Sequence, residues 1–289
     1  MKKEEINIRD PFVVYEDGTY YLYGTRAVGL GCKVGGIDVY ISEDMVEWSD
    51  PIECFDSEKH GLNREVNWAP EVYKYKGKYY MLATFTQENG LRGTYSLRAD
   101  SPKGPFVPHS KGALTPSAWE CLDGTLYIDE DGVPYLVFCH EHTQIIDGTI
   151  CYVRLNEELD SLVGDAVTLF SASSYEPVDP QKNGHYITDG PFMYRSVTGE
   201  LFMLWSSYIK GVYSQFVIRF KNKKLGLEFE HMKPLLLNDG GHGMIFSDDK
   251  NTYLVYHTPN ENLLERPEIR LLEDGGDTIA IKNIPESGE

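Results

Sequence analysis

A chain of 289 residues, 41% hydrophobic and 12% aromatic, can bury a core of one or two domains, and its formal charge of −18 argues against nucleic acid, whose phosphates demand basic patches. No uncharged apolar run is long enough to span a membrane. The start, "MKKEEINIRD", carries no apolar region behind its lysines, so the chain reads as cytoplasmic. Strand formers and turn formers are abundant, with 20 Tyr, 27 Gly and 15 Pro, and an all-β fold follows.

The first predicted unit is "DPFVVYEDGTYYLYGT" from Asp10, two apolar runs joined by an "EDGT" turn. The same arrangement returns in "EVYKYKGKYYMLATF" from Glu71 and "DGTLYIDEDGVPYLVFCH" from Asp123. It returns again in "DGPFMYRSVTGELFMLWSS" from Asp189 and "HGMIFSDDKNTYLVYH" from His242. Each unit opens on a polar, ionisable residue and closes on an aromatic-rich run, which is a hairpin signal. The openings lie 61, 52, 66 and 53 residues apart. Such intervals predict a five-bladed β-propeller, one four-stranded blade per unit, occupying residues 1–289 as a single domain. Segments such as "DVYISEDMVEWSD" and "CYVRLNEELD" supply outer strands. The cysteines Cys32, Cys54, Cys121, Cys139 and Cys151 show no CxxC spacing and read as reduced thiols.

In a propeller the innermost strands line the axis. Asp10, Glu71, Asp123, Asp189 and His242 are therefore expected to converge at one end of it. The second strands end nearby, at Thr25–Arg26, Thr86–Gln87, His140–Glu141–His142, Ser206–Tyr208 and His257. Charge gathered in one place costs stability, and a cost borne locally marks a site. His140, His142 and His257 read equally as hydrogen-bonding groups, and Trp48 and Trp205 as blade core.

These motifs resemble glycoside hydrolase family 43, inverting enzymes on a five-bladed propeller. "RDPF" resembles the first-blade motif that carries the general base, which implies Asp10. "NWAPEVYKYKGKYYM" is similar to the second-blade motif, with Glu71 where Asp is usual. "CLDGTLYIDEDG" implies that Asp123 orients the acid and tunes its pKa. "YITDGPFMYR" is similar to the acid-bearing motif, with Asp189 where Glu is usual. "GGHGMIF" implies that His242 helps hold an axial calcium through waters, and "LLERPEI" that Arg266 contacts sugar. Aspartate is one methylene shorter than glutamate, and a proton donor must come within about 2.6–3.2 Å of its target. Glu141 is thus a second candidate for the acid, and Glu120 in "AWECLDG" a third, resembling the Glu-Cys of invertase-type propellers. Trp68 and Trp119 are candidates to stack on sugar rings.

The resemblance implies hydrolysis of α-L-arabinofuranosides or β-D-xylosides in oligosaccharides, without an organic cofactor. The chemistry suits the residues, since inversion needs an acid and a base about 6.5–9.5 Å apart, in surroundings that hold opposite protonation states. The alternative is a non-catalytic carbohydrate-binding propeller.

Overall fold

A computed structural model describes residues 1–27 and 35–282, and Cys32 lies outside them. Among the described residues, twenty strands form five four-stranded antiparallel sheets, each built from four consecutive strands. The first comprises β1 (Ile8–Glu16), β2 (Thr19–Arg26), β3 (Ile37–Ser42) and β4 (Ile52–Phe55). The second comprises β5 (Asn67–Tyr75), β6 (Lys78–Thr86), β7 (Arg92–Ala99) and β8 (Val107–Pro108). The third runs through β9 (Cys121–Ile128), β10 (Pro134–His140), β11 (Thr149–Leu155) and β12 (Leu162–Ser171), with a single helical turn, α1 (His142–Ile145), after β10. The fourth holds β13 (Asp189–Arg195), β14 (Leu201–Ile209), β15 (Val212–Phe220) and β16 (Phe229–His231). The fifth holds β17 (Gly241–Ser247), β18 (Thr252–Thr258), β19 (Arg266–Asp274) and β20 (Ile279–Ile281). The first strands touch in a ring, β1 to β5, β5 to β9, β9 to β13, β13 to β17 and β17 back to β1. This is the five-bladed propeller that the repeat predicts.

The hairpin turns follow from local chemistry. Asp17-Gly18 and Lys76-Gly77 take positive φ at both positions, the two-residue turn that matches strand twist. The second strand of each blade is packed on both faces by its neighbours, so it reads as a nearly continuous apolar run. Leu22, Met81, Leu82, Leu136, Phe138, Leu204, Trp205 and Leu254 are all fully buried there. Trp48 and Trp205 lie in the core, as expected.

A bulge repeats in every innermost strand. Pairing slips between Arg9 and Phe12 in β1, Trp68 and Glu71 in β5, Leu122 and Thr125 in β9, Asp189 and Phe192 in β13, and Gly241 and Met244 in β17. The first bulged residue is left-handed each time: Asp10 (φ 52°), Ala69 (46°), Asp123 (55°), Gly190 (48°) and His242 (49°). Four of these five have a side chain, so the strain is real and needs holding in place. The structural repeat therefore corrects the register read from sequence. Blade two aligns Ala69, and not Glu71, with Asp10; blade four aligns Gly190, with Asp189 one residue earlier.

Two residues further along, Phe12, Glu71, Thr125, Phe192 and Met244 occupy equivalent positions and plug the axis. The Phe12 ring lies 5.3 Å from Tyr73 and 6.1 Å from Phe192. Glu71 is buried in this plug and accepts the Tyr73 hydroxyl, which in turn reaches Thr125 Oγ1 at 2.7 Å.

No strand is shared between the first and fifth blades among the described residues. Besides the packing of β1 on β17, side chains of the N-terminal segment, β2 and β19 tie the two blades together. Arg266 Nε donates to the Glu4 carbonyl at 2.8 Å, Lys3 pairs with Glu268, Asn7 Nδ2 donates to the Leu263 carbonyl, and Tyr20 donates to Asp248.

Candidate active site

The bulges and the residues before them line a cavity of about 540 Å³ at one end of the axis. Arg9, Trp68, Leu122 and Asp189, each one residue before a bulge, form its wall, and the bulged Asp10, Asp123 and His242 lie deeper. Thr25, Arg26, Glu141, Tyr208 and Glu265 are also among the lining residues. Four of the five residues expected to converge do so. Glu71 is the exception, because its strand position carries it into the plug.

Three carboxylates meet on one imidazole. His242 Nδ1 lies 3.2 Å from Asp10 Oδ1, 3.3 Å from Asp189 Oδ1 and 3.9 Å from Asp123 Oδ2. The ring fits because residue 190 is glycine: a Cβ there would stand 2.7 Å from His242 Cγ and Cδ2. Asp10 Oδ2 accepts the Thr25 hydroxyl at 2.6 Å, and its N–H donates to His257 Nδ1 at 3.2 Å. His257 Nε2 pairs with Asn260 Oδ1 at 3.1 Å, which assigns the proton to Nε2. Asp189 Oδ2 accepts the Tyr213 hydroxyl at 2.5 Å, and Asp123 Oδ2 accepts the Gly190 N–H at 3.2 Å.

These contacts divide the charges. Burial would raise Asp10, but His242 and Arg9 hold it below the usual carboxylate range, so it is ionised. Burial and the neighbouring Asp189 charge raise Asp123 well above that range. Asp189 is lowered despite burial, because the adjoining His242 ring, the Asp123 carboxyl and the Tyr213 hydroxyl favour its charged form. The Asp123–Asp189 pair thus shares one proton, held on Asp123, as close carboxylates must. Burial alone would lower His242, yet Asp10, Asp123 and Asp189 push it up to about 10, while burial leaves His257 neutral at about 4.

The resemblance implied an axial calcium near His242. Asp123, Asp189 and His242 do present ligand atoms within 4.8 Å of one another. Asp123, Asp189 and Asp10 could hold an ion with His242 beyond a shell of water; with no ion, the charge of the ring itself offsets the carboxylates.

The remaining candidates separate by position. Trp68 lines the cavity, with the Arg92 guanidinium 5.3 Å above its ring. Glu141 also lines it, bound to Arg92 at 2.9 Å. Glu120 and Trp119 are not part of the lining. Glu120 pairs with the Nε of the same Arg92, and Trp119 stacks on His140 at 4.3 Å. Arg266 is spent on the carbonyls of Glu4 and Glu265 and does not face the cavity. Arg9 and Tyr213 were missed, while Thr25 lies where its strand end was expected. Arg9 stood in the quoted "RDPF", but Tyr213 lies on a third strand, outside every hairpin motif. Its partner could not be read from spacing.

A propeller with this acidic centre is the frame of a glycan-cleaving enzyme. The sequence matches the Glycosyl hydrolases family 43 profile over residues 5–280, so the chain belongs to that family and is a glycoside hydrolase. It is 36% identical to a solved endo-arabinase from Bacteroides thetaiotaomicron VPI-5482, covering 99% of this chain and 98% of that one, with a TM-score of 0.85. A thermostable family-43 glycoside hydrolase superposes with a TM-score of 0.82 at 25% identity, over 98% and 95% of the two chains. The extracellular exo-α-(1→5)-L-arabinofuranosidase ArbA of Cellvibrio japonicus is 23% identical over 95% of this chain and 86% of its own length. That relative overturns the cytoplasmic expectation: it is extracellular, and the opening residues do not place the chain.

Proposed function

We propose that the chain hydrolyses α-L-arabinofuranosyl linkages, with inversion, using Asp10 as base and Asp189 as acid. One observation carries the reading: Asp10 and the Asp123–Asp189 pair flank a single imidazolium, the first without a proton and the second with one. The nearer oxygens of Asp10 and Asp189 lie no further apart than the sum of their 3.2 and 3.3 Å contacts to His242. Inversion needs about 6.5–9.5 Å between the two groups, so the outer oxygens, turned away from His242, are the ones that would hold water and leaving group. The endo-arabinase, at 36% identity, and ArbA, at 23%, are named for arabinan or arabinofuranoside cleavage, which favours arabinose over xylose.

In the proposed step a water oxygen attacks the anomeric carbon while the glycosidic C–O bond breaks. Asp10, fixed by Thr25 and His257, takes the water proton. The proton held on Asp123 moves to Asp189, which delivers it to the leaving oxygen. Arg9 and His242 keep Asp10 ionised until it is needed. Trp68 offers an aromatic wall for the apolar face of a sugar.

A panel of nitrophenyl glycosides tests the substrate, with turnover expected on the α-L-arabinofuranoside and the first-formed anomer read by proton NMR. Asp189→Asn tests the acid. Loss should be severe with a natural oligosaccharide and far smaller with a dinitrophenyl leaving group, which needs little protonation. Should Glu141→Gln show that selective loss instead, Glu141 is the acid. Oligosaccharide binding with no turnover of any glycoside would make the chain a binding module.

A further inference from the structure

The strained bulges are held by a belt that runs from blade to blade. Opposite the residue before each bulge stand Thr25, Thr84, Cys139, Ser206 and His257, one per second strand. Four of them accept the bulge N–H of the next blade. Thr25 Oγ1 takes Ala69 N–H at 2.7 Å and Thr84 Oγ1 takes Asp123 N–H at 3.1 Å. Ser206 Oγ takes His242 N–H at 2.8 Å, and His257 Nδ1 takes Asp10 N–H at 3.2 Å, closing the circle. Blade three is the exception. Its belt residue is the fully buried Cys139, and the Gly190 N–H goes to Asp123 Oδ2.

Blades one and three make a controlled comparison. Both carry aspartate at the bulge, with φ of 52° and 55°. Where the belt residue is threonine, it accepts the next N–H itself and donates its own proton to Asp10, whose Oδ1 stays turned toward His242. Where the belt residue is a thiol, a weak acceptor, the N–H is left over and the aspartate takes it. A buried N–H left unmade is costly, so one acceptor or the other must answer it.

We propose that the belt residue decides which way its blade's aspartate points, Cys139 being the positioning residue that fixes Asp123 between Gly190 and Asp189, as Thr25 frees Asp10 to face the cavity. Two aspartates of the same backbone conformation are thereby given different tasks by a residue that touches no substrate. The inference deepens the proposed function and rests on it for the tasks, but not for the bonding pattern.

The test exchanges belt residues. In Cys139→Ser the new hydroxyl should take the Gly190 N–H and release Asp123, lowering kcat about tenfold with KM little changed, the loss of one positioned group. Cys139→Ala, which adds no acceptor, should keep the Asp123–Gly190 bond. In the reverse exchange, Thr25→Cys should turn Asp10 toward the Ala69 N–H, and Thr25→Ser should recover much of the rate that Thr25→Cys loses. Crystal structures of the four variants, or the Gly190 amide shift by NMR if crystals fail, report the bonding without any substrate. The proposal is overturned if Asp123 keeps the Gly190 N–H in Cys139→Ser, or if Cys139→Ser and Cys139→Ala lose kcat equally. A parent protein inactive on every glycoside would sink the functional reading, while the Gly190 partner would still decide for or against the belt.

Discussion

At the scale of single residues, the same residue type takes different states according to what it touches. Glu71, two positions beyond a bulge, is surrounded by the axial plug, and burial pushes it up to about 7. Its folded value exceeds its unfolded one, so the stability it contributes is fully present below about pH 4.5 and is lost as pH rises through 7. Glu71→Gln keeps an acceptor for the Tyr73 hydroxyl and has no proton to lose. Its unfolding free energy should fall less steeply between pH 4.5 and 8, by about 3 kcal/mol over that window, in denaturant titrations at fixed pH values. An identical slope in parent and variant would show that Glu71 ionises freely in the fold.

At the scale of elements, the hairpins were legible because their turns and alternating runs are local, and Asp10, Asp123, Asp189 and His242 were legible because each opens a hairpin. What escaped was the bulge. One extra residue shifts a strand's alternation, so Glu71 looked equivalent to Asp10 when Ala69 is, and neither spacing nor composition records a left-handed φ. Contacts between blades escaped as well, such as Tyr213 on Asp189, because they join residues with no fixed separation. Arg266 illustrates the cost of reading a residue without its element. At the start of β19 it ties the fifth blade to the N-terminal segment, through Glu4. Arg266→Ala should lower Tm by a few degrees, the loss of one or two hydrogen bonds worth about 1 kcal/mol each, and leave KM unchanged. A raised KM at unchanged Tm would return Arg266 to the sugar site.

At the scale of the whole molecule, the groups gathered around His242 offset one another's charge. Asp10 and Asp189 carry negative charge, His242 and Arg9 positive, and Asp123 is held neutral. Prolonged chelation should therefore leave both turnover and Tm unchanged, measured against the same protein with added calcium; a fall in either that calcium restores would show that an ion is required. The ring of bulges has a wider consequence. Five equivalent seats ring the axis, and those at Asp10, Asp123 and His242 line the cavity and carry its chemistry. The seat at Ala69 is vacant, yet its backbone already holds the conformation that aspartate tolerates better than alanine. Ala69→Asp should seat a further carboxylate there without moving β5, which a crystal structure would verify; a displaced strand would refute it. A fold of this kind can acquire or lose a reactive group by one substitution at a ready-made seat, so lineages sharing the scaffold can diverge in chemistry without altering its course.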